Sequence, residues 1–136
     1  MPRKLTSIRG LIHKADAVFS KYIKLLNTKD GTIQCFTCGR YLPSSFIDCG
    51  HYITRGYKNT RWVEENAEPQ CRSCNRFHEG VKDIFAINLM KKYGADILQE
   101  LNDKKREVKK WTREDLEQII EIYSLKIKEM KNGNLK

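Results

Sequence analysis

The chain has 136 residues, a length that fits one compact domain with a modest hydrophobic core. Lysine and arginine outnumber aspartate and glutamate by 26 to 17, which gives a formal net charge of +9. This charge favours a polyanionic partner, nucleic acid first, although a solvated basic surface is the plain alternative. The sequence has neither a membrane-span-length apolar run nor the apolar core of a secretory signal, so we expect an intracellular, cytoplasmic protein with no membrane partner.

The first predicted element is an N-terminal helix over residues 5–27. Apolar residues recur at intervals of three and four from Ile8 to Leu26, which places them on one face of a helix. Thr6 or Ser7 can cap its start, and a polar stretch ending in glycine closes it. This face predicts packing in a core, and a contact with DNA or with a second subunit is the alternative.

The central segment, residues 32–80, contains two strand-like stretches. Residues 32–36 predict a short strand, and residues 46–53 predict a second one in which Gly50 indicates a bulge or a close backbone approach. Residues 54–65 are polar and are expected to be irregular. The pattern returns to helix from about Arg72.

The C-terminal region, residues 81–131, is predicted to be helical. A first helix stops at a Tyr-Gly pair, and a shorter apolar segment follows over residues 97–101. A charged connector is expected over residues 102–110. Thr112 and Asp115 have the spacing of a capping box, which predicts the start of the last helix.

Two Cys-x-x-Cys pairs lie about thirty residues apart in the central segment. Cys35, Cys38, Cys71 and Cys74 supply four thiolates, enough to close a tetrahedral shell around one structural Zn²⁺ ion. A zinc ion with four thiolate ligands keeps no open position, so we expect it to hold the fold and not to activate water. The fifth cysteine, Cys49, lies outside both pairs and is predicted to be a small buried side chain.

Between the two pairs lies a single histidine, His51. A neutral imidazole near pH 7 can take a proton from water, which is what hydrolysis of a phosphodiester requires. A histidine that only packs within the structure is the alternative.

Four residues, Asp48, His51, Asn66 and Asn75, have spacings that resemble the His-Asn-Asn form of the HNH, or ββα-metal, nuclease motif. A wider set of residues resembles more narrowly the phage lambda NinG, or Rap, recombination endonuclease family. The resemblance covers most of the chain, and the combination is more specific than the short nuclease motif alone. It is carried by residues 17–23, 35–39, 48–56, 60–62, 66, 70–77 and 91–94.

The resemblance implies roles for two of these residues. His51 matches the general base that activates the attacking water. Asn66 matches the middle asparagine of the motif, whose side chain pins the loop between the strands and so orients the histidine.

The resemblance also implies a site for one catalytic divalent ion, Mg²⁺ or Mn²⁺. Asn75 matches the last motif position and is a ligand candidate, and Asp48 is the candidate carboxylate because a hard cation prefers oxygen donors. The sequence departs from the family here, since the ligand often directly precedes the base and residue 50 is glycine. A bulge at Cys49–Gly50 could bring Asp48 round. His78 and Glu79, expected on the helix face of Asn75, are the fallback ligands.

Basic residues surround this motif, with Tyr52, Tyr57 and Trp62 between them. We expect this surface to grip the nucleic-acid backbone and to stack on unpaired bases without reading a base sequence. Arg55, or failing that Arg61, is the candidate for stabilising the transition-state charge, and a phosphate-positioning contact or a plain surface charge is the alternative for each. The predicted nucleic-acid-binding residues are Arg55, Lys58, Arg61, Arg72 and Arg76.

Together these observations predict an α+β protein of one domain, 1–136, in which a zinc-stapled ββα-metal core is flanked by an N-terminal helix and C-terminal helices. The resemblance implies a metal-dependent DNA endonuclease of phage recombination that acts in the bacterial host cell on branched DNA such as Holliday junctions and D-loops. Symmetric cutting of a four-way junction needs two active sites, so a homodimer is expected. The alternatives are a non-catalytic zinc-binding module that holds nucleic acid and, less favoured, a protein-interaction adaptor.

Overall fold

A computed structural model describes residues 5–133, so the ends of the predicted 1–136 domain lie outside the described residues. The chain forms two compact units. One unit comprises the N-terminal part up to Tyr22 together with the C-terminal part from Lys110, and the other comprises Ile23–Lys109.

The first unit contains two long helices: α1 (Ile8–Leu26), as far as Tyr22, and α5 (Arg113–Lys131). The predicted apolar face of α1 is buried at Leu11, Ala15, Phe19 and Tyr22, whereas Ile8 at its start is 45% exposed. Aromatic rings join the helices, since the Phe19 ring lies edge-on to the Tyr123 ring with centroids 4.9 Å apart.

Side-chain caps fix the starts of both helices, as the sequence predicts. The Ser7 hydroxyl accepts a hydrogen bond from the Gly10 amide at 3.0 Å. The Asp115 amide donates to the Thr112 hydroxyl at 3.2 Å, and the Thr112 amide donates to the Asp115 carboxylate at 2.9 Å. This reciprocal arrangement is the predicted capping box.

The second unit contains two small antiparallel sheets. The first sheet has the order β1-β2-β3, and the second is the pair β4-β5. The predicted strand over 32–36 is observed as β2, and the predicted strand over 46–53 as β4. The strands are β1 (Thr28–Lys29), β2 (Thr32–Gln34), β3 (Tyr41–Pro43), β4 (Ile47–His51) and β5 (Ala67–Cys71).

The pairing of β4 with β5 is continuous from Ile47, opposite Cys71, to His51, opposite Ala67. The predicted bulge at Cys49–Gly50 is therefore wrong. In a regular strand, side chains alternate between the two faces, so Asp48 and Gly50 share one face of β4 and His51 lies on the other.

Between these strands lies a short helix, α2 (Lys58–Arg61), in the stretch expected to be irregular. After β5 the chain forms a five-residue π-helical turn, Ser73–Phe77, and not the longer helix that the sequence suggested. Residues 79–81 then have positive φ angles of 53°, 80° and 47°, which turn the chain into the next helix.

Two helices complete the second unit, α3 (Lys82–Tyr93) and α4 (Ile97–Arg106). Their buried residues include Phe85, Leu89, Ile97 and Leu101, which pack with Ile53. The predicted connector over 102–110 is partly wrong because α4 continues to Arg106: buried Leu101 anchors a helix whose last turns are charged. Among residues 5–133, no helix is long and apolar enough to cross a membrane.

Candidate functional site

The four predicted zinc ligands converge. The sulfur atoms of Cys35, Cys38, Cys71 and Cys74 all lie within 4.8 Å of one another. In each Cys-x-x-Cys pair the amide of the second cysteine donates to the sulfur of the first at 3.5 Å. The Cys38 and Cys71 sulfurs are 3.8 Å apart, close to the edge of about 3.8 Å that follows for a tetrahedron with Zn–S bonds of about 2.3 Å. The four thiols therefore fit a zinc ion.

The electrostatics of this four-cysteine cluster also suit a dication. Burial opposes ionisation of Cys35, but hydrogen bonds from the Cys38 amide and Thr37 outweigh it and lower its pKa to about 6. Burial and the neighbouring sulfurs of Cys71 and Cys35 raise the pKa of Cys74 to about 12. A bound Zn²⁺ would stabilise all four thiolates through its charge.

His51, the last residue of β4, is oriented by the backbone. Its Nε2 lies 2.9 Å from the carbonyl oxygen of Arg61. A carbonyl oxygen can only accept, so Nε2 donates, and in the neutral ring Nδ1 then carries the lone pair. The Lys82 ammonium donates to the backbone carbonyl of the same histidine, which ties α3 to the end of β4.

Asn66 is fully buried and lies immediately before β5. Its side chain holds the loop of residues 53–60, which follows β4. Its Oδ1 accepts from the Ile53 amide at 2.8 Å, and its Nδ2 donates to the Ile53 carbonyl at 3.0 Å. Nδ2 also donates to the Thr60 carbonyl at 3.0 Å. These three bonds tie the ends of the 53–60 loop to one side chain, directly before the residue whose carbonyl accepts from His51.

Asp48 and Asn75 are brought together. The Asn75 Nδ2 donates to Asp48 Oδ2 at 3.0 Å, so the amide presents its nitrogen to the carboxylate. Arg76 donates twice to the same carboxylate, at 2.8 and 2.9 Å. Burial of Asp48 opposes ionisation, but the hydrogen bonds from Arg76 and Asn75 outweigh it and hold its pKa below the usual range.

The fallback ligands are not part of this arrangement. The π-helical turn ends at Phe77, so His78 and Glu79 do not continue the helix of Asn75 as expected. In the described part of the chain, the four cysteines are the only group of three or more His, Cys, Asp or Glu side chains whose ligand atoms converge.

The predicted basic residues have different surroundings. Arg61 donates to the Arg55 carbonyl at 2.8 Å and lies over the Trp62 ring, so its guanidinium stabilises the loop. Arg72 donates to the Ser45 carbonyl at 2.6 Å. Arg55, Lys58, Arg72 and Arg76 are all exposed.

Sequence reasoning missed two buried polar residues of β5. Glu68 is 2% exposed and forms an ion pair with Lys92 at 2.7 Å. Gln70 is fully buried and donates to the Gly80 carbonyl at 2.8 Å. Both share the β4-β5 face of Asp48; their spacing of two residues indicates a common strand face but not that this face is buried. A cavity of about 610 Å³ opens between Glu68, Lys92 and the Cys35–Cys38 turn.

The fold and site define an α+β protein in which four cysteines could bind zinc beside a two-stranded sheet that carries polar residues. The family model described as Bacteriophage Lambda NinG protein matches residues 3–133, and the chain belongs to this family. It is 28% identical to Protein ninG of Escherichia phage lambda over 109 residues, which cover 79% of this chain and 52% of that protein. It is 29% identical to Protein ninG of Salmonella phage P22 over 110 residues, which cover 79% and 53%.

The chain thus spans about half the length of the curated relatives it matches. No solved structure matches it.

Proposed function

We propose that the chain is a metal-dependent DNA endonuclease of the HNH, or ββα-metal, type. The observation that carries the proposal is the bond from His51 Nε2 to the Arg61 carbonyl, in a loop that Asn66 pins through three hydrogen bonds. A histidine held in this way has one tautomer selected by the backbone. This is what a general base needs if it is to present the same nitrogen to water in every turnover.

In this proposal the base is His51 Nδ1, the nitrogen that carries the lone pair when Nε2 donates. It takes a proton from the attacking water, and Asn66 acts as a positioning residue for the loop. Asp48 lies on the opposite face of β4. In-line displacement places the attacking and leaving oxygens on opposite sides of one phosphorus atom, so the proposal requires a phosphate that both side chains reach at the end of β4, where His51 is the last strand residue.

Asp48 and Asn75 are the proposed ligands of a catalytic Mg²⁺ or Mn²⁺ ion. The residues fit a hard cation, since the Asp48 carboxylate has a lowered pKa and Asn75 has an amide oxygen within one bond rotation of it. When bound, such an ion stabilises the developing charge on the leaving oxygen. Ligation by the Asn75 oxygen requires its amide to turn, because its nitrogen now faces Asp48.

The exposed basic residues support nucleic acid as the substrate. Arg55 and Lys58 lie within the 53–60 loop, and the chain carries a net charge of +9. These side chains are suited to phosphates, which do not specify a base sequence. We assign five residues to binding of the nucleic-acid backbone: Arg55, Lys58, Arg61, Arg72 and Arg76. Among them, Arg55 is the candidate for stabilising transition-state charge.

Branched recombination intermediates are the proposed substrates, on the strength of the family resemblance and of exposed basic residues suited to phosphates. Resolving a four-way junction symmetrically needs two sites, so we propose that a homodimer acts in the host cytoplasm. Sedimentation of the protein alone and with a junction tests this state.

The experiment that tests the proposed base is cleavage of a labelled four-way junction in Mg²⁺. His51→Gln keeps an N–H donor near the Arg61 carbonyl but has no proton-accepting nitrogen, so we expect the rate to fall about 10²- to 10⁴-fold. His13→Gln is the matched control because His13 is exposed on α1, and its rate should equal that of the wild type.

Full activity in His51→Gln would remove the base from the proposal. If the wild type binds the junction in Mg²⁺ without cutting it or other branched DNA, the chain is instead a zinc-binding nucleic-acid module.

A further inference from the structure

The side-chain amide of Gln70 has a fixed orientation. Its Nε2 donates to the Gly80 carbonyl at 2.8 Å and lies 3.1 Å from the Thr37 hydroxyl. Exchanging the amide nitrogen and oxygen would set two oxygen acceptors against each other at Gly80. The atom at the other end of the amide is therefore the oxygen, Oε1.

This oxygen is buried and has no hydrogen-bond partner among residues 5–133. Most buried side-chain polar atoms are paired, so a buried carbonyl oxygen without a partner indicates a missing ligand, such as a cation or a water molecule.

Gln70 Oε1 lies in the space that a side chain at Gly50 would fill. A Cβ atom built at Gly50 would overlap Oε1, and its three nearest atoms all belong to Gln70. The glycine thus leaves room for the amide oxygen of the neighbouring strand.

The surroundings of Oε1 favour a cation. Asp48 is the cross-strand partner of Gln70, and both side chains lie on one face of the β4-β5 pair. The Asp48 carboxylate accepts three hydrogen bonds of the about four that a carboxylate can accept. A carbonyl oxygen and a carboxylate on one strand face are the kinds of oxygen donor that Mg²⁺ and Mn²⁺ prefer.

We propose that Gln70 Oε1 is a ligand of the divalent cation held by Asp48, donated across the strand pair in place of a side chain at residue 50. This inference rests on the metal site of the proposed function. It adds a neutral third oxygen donor to that site and assigns a role to the glycine at residue 50.

The test removes the oxygen donor from residue 70 on β5 and supplies one at residue 50 on β4, in the zinc-loaded full chain. Mn²⁺ binding is measured from the paramagnetic resonance signal of the free ion. We expect Gln70→Ala to weaken Mn²⁺ binding at least tenfold. Adding Gly50→Asp to Gln70→Ala supplies a carboxylate in the vacated space and should restore the affinity.

The matched control is Gly50→Ala with Gln70→Ala, which fills part of the same space without a donor and should bind Mn²⁺ weakly. Both double variants lose the same Gln70 hydrogen bonds, so the difference between them reports the donor alone. Wild-type affinity in Gln70→Ala, or equal affinities in the two double variants, would overturn the inference.

A measurement on the wild type covers the case in which Gln70→Ala does not fold. In crystals soaked with Mn²⁺, the anomalous peak should lie within about 2.5 Å of Gln70 Oε1. A peak elsewhere, or a water molecule alone at Oε1, contradicts the inference. If Mn²⁺ binds at Gln70 but the protein cuts no DNA, the ligand assignment stands and the proposed endonuclease fails. If Gln70→Ala binds Mn²⁺ normally and cuts DNA, the ligand assignment fails and the proposed endonuclease stands.

Discussion

Arg76 holds the carboxylate of Asp48 in a two-pronged ion pair, with its Nε 2.8 Å from Oδ2 and its Nη2 2.9 Å from Oδ1. The Asp48 side chain is 16% exposed and that of Arg76 is 55% exposed. The guanidinium thus covers both oxygens of the carboxylate from the solvent side. Any cation that approaches Asp48 from that side must compete with this arginine.

The first prediction follows from this competition. Arg76→Ala should bind Mn²⁺ about fivefold more tightly, which corresponds to the roughly 1 kcal/mol of a partly exposed ion pair. Arg72→Ala is the matched control, because Arg72 contributes its charge near Asp48 without a direct bond. Equal gains in the two variants would indicate a general field effect and not competition at the carboxylate. Titration of each zinc-loaded variant with Mn²⁺ distinguishes the two cases.

Much of the helical structure could be predicted because it depends on local patterns. The starts of α1 and α5 are set by Ser7 and by the Thr112 capping box, and their apolar faces follow the helical period. The cluster of four cysteines could likewise be predicted from spacing, because each Cys-x-x-Cys turn presents a pair of sulfurs.

The second strand of the site could not be predicted from the same kinds of pattern. Strand β5 has the sequence Ala-Glu-Pro-Gln-Cys, in which polar and apolar residues alternate as in a half-exposed strand, yet it is buried at every position. Its glutamate and glutamine look like surface residues in the sequence. They are buried because Lys92 and the Gly80 carbonyl, distant in the chain, pair with them. Such partners depend on the tertiary fold.

A second prediction concerns Asn66. Asn66→Asp keeps an acceptor for the Ile53 amide but loses the donor to the Ile53 and Thr60 carbonyls, and it buries a charge. We expect the free energy of unfolding to fall by about 3 kcal/mol, since each buried group left without a partner costs roughly 1–3 kcal/mol. Asn59→Asp, at a less buried position in the same loop, is the comparison. Urea unfolding of the zinc-loaded proteins measures both, and similar losses would show that Asn66 does not anchor the loop.

A third prediction distinguishes the four clustered cysteines from Cys49 by their effect on zinc binding. Replacing any one of Cys35, Cys38, Cys71 or Cys74 with serine should remove stoichiometric zinc and unfold the second unit, because structural zinc sites supply folding free energy. Cys49→Ser should retain one zinc ion per chain. Metal content by mass spectrometry and far-ultraviolet circular dichroism measure these outcomes. A zinc ion retained in all four single variants would place the metal elsewhere.

The last prediction uses the buried pair of Glu68 and Lys92. Burial raises the pKa of Glu68 in the folded protein, and the hydrogen bond from Lys92 offsets this only in part. An acid whose folded pKa lies above its unfolded value loses stability as the pH rises from the unfolded value through the folded one. Lys92→Met removes the offset, so its destabilisation relative to the wild type should grow from pH 5 to pH 7 and reach about 2 kcal/mol, less than for a fully buried pair. The double variant Glu68→Gln with Lys92→Met has no carboxyl group at residue 68. The difference in free energy of unfolding between it and Glu68→Gln should therefore stay constant over the same pH range. Urea unfolding at each pH gives these differences, and a pH-independent loss in Lys92→Met would mean that Lys92 stabilises the fold by packing and not by its charge.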